Sequence, residues 1–195
     1  MKKLVLLFVA VAISSLTWSQ VSIKPGIGIN VTDFSKVPDG TNNVQAKVGY
    51  QIGASALIGD KLYVEPGVFV QKQSTDFVVS GIEGQKVDIS NQISSIRIPV
   101  NVGYHILGSE SSPFALRVFG GPTASIVTNV KESNILKLDK SDYKGMNWGA
   151  QVGVGVDLSF LYLDVSYEWG LNEFLKNTSN APKLQGAYIT AGINF

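Results

Sequence analysis

LYLDVSYEWGL, residues 161–171, and LQGAYITAGINF, residues 184–195, decide the fold. In the first, Leu161, Leu163, Val165, Tyr167, Trp169 and Leu171 share one face, against Tyr162, Asp164, Ser166 and Glu168. In the second, Ala187, Ile189, Ala191, Ile193 and Phe195 alternate with Gly186, Tyr188, Thr190, Gly192 and Asn194. A period this strict reads as strand, and a terminal aromatic suggests a membrane β-barrel with apolar residues toward lipid and polar residues toward the lumen.

Working outward, the same period recurs in six earlier stretches: Ser22–Val31, Ala46–Ile58, Leu62–Gln73, Ile93–Ile106, Phe114–Thr128 and Asn147–Leu158. The expected architecture is all-β, an eight-stranded antiparallel up-and-down transmembrane β-barrel. Gly59-Asp60-Lys61, Gly108–Pro113 and Ser159-Phe160 read as short turns. Thr32–Gln45, Ser74–Gln92, Asn129–Met146 and Asn172–Lys183 read as long loops. Alternating short and long connections match periplasmic turns and extracellular loops. Pro25, Pro66, Pro99 and Pro122 oppose this layout unless strand ends or bulges accommodate them, because each lacks a ladder donor.

The N-terminus adds export. Lys2 and Lys3 precede the apolar run Leu4–Ile13, then the small and polar approach Ser14–Ser19. That pattern predicts a signal peptide over 1–19, cleaved before Gln20, and an outer-membrane barrel domain over 20–195. The composition agrees: 195 residues, 45% hydrophobic and 16% charged, with the apolar residues alternating and no run of about 18 that a spanning helix needs. A net charge of +1 without a basic tract gives no electrostatic reason to bind nucleic acid.

Zero cysteines exclude disulfides, thiolate metal sites, a catalytic thiol and a lipidated N-terminal Cys. A single histidine, His105, offers little for catalysis or metal binding. We expect no catalytic, cofactor or metal residues, and a protein that is not an enzyme.

Two constellations stand out. Lys24, Lys47, Arg97 and Arg117 share the polar face with Glu65, Asp157, Asp164 and Glu168. An eight-stranded barrel has room only for side chains inside, so these charges are expected to pair and plug the lumen. Twelve glycines on the same face, Gly103 and Gly155 among them, relieve crowding there. On the apolar face, Trp148, Tyr167 and Trp169 fall near the loop ends of their strands, with Tyr104, Phe114, Phe160 and Phe195 near the turn ends. That is the arrangement of membrane aromatic belts.

With these features in place, the chain resembles the PorT-like outer-membrane β-barrel family common in Bacteroidetes, and more distantly OmpA/OmpX-type eight-stranded barrels. The residues carrying the likeness are Lys24-Pro25-Gly26, Glu65-Pro66-Gly67, Ile98-Pro99-Val100, Phe119-Gly120-Gly121-Pro122 and Ile193-Asn194-Phe195, with the signal segment. The resemblance implies insertion by the outer-membrane assembly machinery, which recognises a terminal strand ending in an aromatic, and it transfers no catalytic residue. Expected partners are outer-membrane lipid, that machinery and envelope proteins. The expected role is adhesion, envelope integrity or accessory work in secretion through surface loops. Alternatives are a narrow pore for ions or small solutes, a soluble periplasmic lipocalin-like barrel whose apolar residues line a ligand cavity, and a lipid-modifying enzyme using His105.

Overall fold

The computed structural model describes residues 21–34, 43–80, 86–131, 146–172 and 184–195; the expected signal segment 1–19 lies outside them. The strands are β1 (Val21–Phe34), β2 (Asn43–Gly59), β3 (Leu62–Ser80), β4 (Lys86–Leu107), β5 (Phe114–Lys131), β6 (Met146–Leu158), β7 (Leu161–Gly170) and β8 (Leu184–Ile193). Each pairs antiparallel with the next, and β8 returns to β1, from Gly26↔Gly192 to Phe34↔Leu184, closing the barrel. Closure leaves no open sheet edge in the barrel wall, which is what a sheet in hydrocarbon requires. Phe195 stands just beyond β8, its backbone exchanging hydrogen bonds of 2.9 and 3.0 Å with Ile23.

The two faces sort as the period requires. Ile27, Val48, Val68, Val102, Val152, Val154 and Leu163 point outward and are exposed, while Lys24, Gln51, Glu65, Arg97, Arg117 and Asp157 are buried inside. A lipocalin-like arrangement, with apolar residues lining the interior, is therefore overturned.

Yet the interior is not uniformly polar. Leu57, Tyr63 and Phe119 form a small buried apolar cluster, and Tyr162 and Tyr188 also point in. Glycine makes the space for them: a Cβ on Gly103 would enter the Tyr63 ring, 2.6 Å from its Cε2.

Two expectations about connections need correction. The stretch Ser74–Gln92 is mostly strand: β3 and β4 stay paired from Gln73↔Ile93 to Ser80↔Lys86, leaving 81–85 between them. Phe77, Val78, Val79, Val87 and Ile89 are residue types that favour extended backbone, and they outweigh the polar residues among them. Short and long connections consequently do not alternate throughout, since 81–85 is no longer than 108–113. β1 likewise runs to Phe34, β2 begins at Asn43 and β5 reaches Lys131, each trimming an expected loop.

The prolines are also not confined to ends or bulges. Register shifts occur at Ala46/Tyr50, Ser94/Ser95 and His105/Leu107, whereas Pro66 and Pro99 lie inside β3 and β4. There the pairing lapses between Pro66↔Val100 and Phe69↔Arg97 and between Pro99↔Thr123 and Val102↔Gly120, then resumes in unchanged register. The missing N–H costs local ladder bonds without displacing the strand. At the turns, Gly59 and Gly108 take positive φ (134° and 68°), and Ser159 does so as a non-glycine residue (56°).

Candidate functional site inside the barrel

The inward charges gather into two separate groups. In the half toward the short turns, Arg117 of β5 is fully buried and reaches three carboxylates. Its Nε donates to Asp157 at 2.9 Å, its Nη1 to Glu65 at 3.1 Å, and its Nη2 to Asp164. The Tyr63 hydroxyl accepts a further bond from Nη1 at 3.3 Å.

Lys24 of β1 faces the same acids, 3.7 Å from Glu65, 3.8 Å from Asp157 and 3.9 Å from Asp164, with its ammonium 4.3 Å above the Tyr162 ring. Ser55 Oγ donates to Glu65 at 2.6 Å. Five charges from five strands thus lock one another across the lumen. Gly155 leaves the guanidinium its room, since a Cβ there would lie 2.8 Å from Arg117 Cζ.

Toward the loops the charge thins out. Arg97 of β4 pairs with Glu168 of β7 at 2.6–2.7 Å and donates to Gln151, while its guanidinium lies 4.1 Å over Tyr188. Gln151 donates to Asn101 at 2.6 Å, Gln51 to Thr190 at 2.7 Å and Gln71 to Ser95 at 2.9 Å. Between the two charge groups, a void of about 30 Å³ is lined by Gln51, Glu65, Arg97, Tyr162 and Asp164. That volume is on the scale of a single water.

Of the eight expected lumen charges, Lys24, Glu65, Arg117, Asp157 and Asp164 come together; Arg97 and Glu168 stand apart as a second pair. Lys47 belongs to β2, in register with Thr32, and its side chain lies outside the described residues. The aromatics Tyr104, Phe114, Phe160 and Phe195 are exposed near the turns, and Trp148, Tyr167 and Trp169 near the loops, with Tyr167 and Trp169 in edge contact at 4.9 Å.

Sequence reasoning passed over Glu110. It sits in the β4–β5 turn yet folds beneath the barrel, where Asn194 donates to it at 2.7 Å. Nothing local marks it; only the closing of β8 beside that turn brings the two residues together.

Residues 14–176 match the protein family described as "Outer membrane protein beta-barrel domain". The chain belongs to that family. Among solved structures the barrel is similar to the outer membrane protein OprG from Pseudomonas aeruginosa, at 12% identity over 89% of this chain and 93% of that one, with a TM-score of 0.52. Weaker likenesses are to Ail, the attachment invasion locus protein of Yersinia pestis, solved with the heparin analogue sucrose octasulfate, and to the N-terminal barrel domain of Pseudomonas aeruginosa OprF. The first has 12% identity, 91% and 99% coverage and a TM-score of 0.47; the second 14%, 91% and 99%, and 0.40. At these identities the likeness concerns the fold. No curated protein matches the sequence.

Proposed function

We propose that this outer-membrane barrel is non-enzymatic and works at its loop end, or through neighbouring envelope proteins, in adhesion, envelope integrity or an accessory step of secretion. The observation that carries this reading is the filled lumen. Lys24 and Arg117 join Glu65, Asp157 and Asp164 across the lumen, from five of the eight strands. A conduit would have to break several buried ion pairs at once. With the interior committed to packing and the wall to lipid, the ends are what a partner can reach.

The loop end also offers a specific surface. β4 pairs with β5 only as far as Gln92↔Lys131, so among the described residues Lys86–Asn91 have a strand partner on one side alone. An extended edge is a surface to which a strand can be added through backbone hydrogen bonds. The resemblance to PorT-like barrels, some of which are linked to secretion and others to no assigned role, leaves the three variants of this role open, and a cleaved signal over 1–19 would deliver the chain to the envelope.

The test is to shorten the ribbon between Gln73 and Gln92 to a tight hairpin. Retention of a compact, heat-modifiable band in the outer-membrane fraction would show that the barrel still forms. The proposal expects cell attachment, detergent resistance of the envelope or secreted protein load to fall in that variant. If all three matched the intact protein while the barrel formed, the ribbon reading would be wrong.

A further inference from the structure

The floor of the barrel holds a contact that the charge network does not use. His105, near the turn end of β4, is fully buried. Its Nδ1 is 2.6 Å from the carbonyl of Asp60, which can only accept, so Nδ1 carries the proton. The opposite nitrogen, Nε2, makes no hydrogen bond and faces two carboxylates, 3.9 Å from Glu110 Oε2 and 3.9 Å from Asp157 Oδ2. A bare Nε2 is an acceptor set against acceptors; with a proton it becomes the donor that the position lacks. We propose that His105 and Glu110 form a proton-operated latch, in which acidification draws the β4–β5 turn against the turn-side mouth of the barrel.

The two acids have different parts in it. Asp157 is fixed on β6, where its Oδ2 already accepts from Arg117 Nε at 2.9 Å, so it contributes charge and no movement. Glu110 rides on the turn that begins at Gly108. Its holds on the barrel floor are a bond from Asn194 Nδ2 to its Oε1 at 2.7 Å and one from its backbone N–H to Asp60 Oδ1 at 3.2 Å. Lys61 Nζ steadies the start of the turn through the Gly108 carbonyl at 3.1 Å. Oε2 is the oxygen turned toward His105. A charge-assisted N–H···O bond is about 2.8 Å long, so the latch closes when that carboxylate moves in by roughly one ångström.

The surroundings of the imidazole set the sign. Arg117, opposite His105 in the β4–β5 register, opposes a further cation, and Tyr63 of β3 lays its ring 5.0 Å away. Lys24, Glu65 and Asp164 lie beyond Arg117 in the same group. The buried acids Glu65, Asp157, Asp164 and Glu110 outnumber the buried cations Lys24 and Arg117 by two. Asp60 and Lys61 of the adjoining turn offset each other. A proton at Nε2 therefore reduces an excess of negative charge and adds a bond at once. The turn is held more tightly as pH falls and released as pH rises.

The experiment follows untagged, ¹⁵N-labelled barrel refolded in detergent by NMR from about pH 8 to 5, the window in which imidazoles change charge. His105 is the chain's only histidine, so its ring signals need no disentangling. We expect Nδ1 to stay protonated throughout and Nε2 to gain a proton on acidification. The backbone amides of Ser109, Glu110 and Ser112 should shift with the same midpoint. Relative to unstructured chain at the same pH, their protection from hydrogen exchange should rise about tenfold, as one bond to a charged group allows. Glu110→Gln, in a turn and so compatible with folding, should abolish that rise. Asn194→Ala should loosen the turn at every pH and keep the rise, which separates the latch from a merely structural contact. Folding of each variant is checked by the heat-modifiable band. An Nε2 that stays bare down to the acid end of the titration would overturn the proposal. So would turn amides indifferent to pH in the wild type, or an undiminished rise in Glu110→Gln.

Discussion

The two halves of the lumen are built on different principles. Near the short turns, two cations and three strand-borne acids share one dense group around Arg117. Near the loops a single Arg97–Glu168 pair is embedded in amides and hydroxyls, each making one or two bonds. A shared guanidinium makes the first half all-or-none, because removing it exposes several acids to one another. The second half is divisible, and its members can be replaced one at a time. The barrel is therefore locked at the turn end and adaptable at the loop end, where the proposed role places its partner.

The strongest way to break this comparison is Arg117→Met. It leaves Glu65, Asp157 and Asp164 with Lys24 alone, and removing one partner from a buried ion group costs about 3–5 kcal/mol. A refolding titration in urea, read by the heat-modifiable band, should show that loss; a change below 1 kcal/mol would mean the acids find other partners.

Neighbouring positions on β6 sharpen the contrast between faces. Val154 is exposed on the apolar face, and Val154→Arg should cost roughly 2–4 kcal/mol in lipid but little in a soluble barrel. Gly155→Ala places a methyl against the guanidinium, and overpacking of that kind costs about 1–3 kcal/mol. Smallest of the four is Gln71→Ala at the loop end, where one buried hydrogen bond to Ser95 is lost, about 1 kcal/mol. Should Gln71→Ala match Arg117→Met in the same titration, the two halves are equally rigid and the comparison fails.

Most of the architecture was legible because a strand writes its orientation every second residue. Leu161 to Trp169 and Ile96 to Ile106 state their outward face without help from any other part of the chain. The extended β3–β4 ribbon was not legible, since Ser74, Asp76, Asp88 and Asn91 look like loop by composition and only pairing makes them strand.

The lumen charges were readable as a set by parity alone, but their division into two groups depends on register. Strand offsets decide that Asp164 meets Arg117 while Glu168 meets Arg97. Glu110 was invisible for the same reason, being placed by the closure of β8 on β1 rather than by its neighbours in sequence.

The central claim, that the lumen is packed shut and the barrel acts at its ends, is tested most directly by single-channel recording of the folded protein in planar bilayers. The account predicts a silent membrane for the wild type, even in high salt and at large voltage. Reproducible conductance steps whose ion selectivity changes on charge reversal at Arg97 or Glu65 would contradict it and establish a pore.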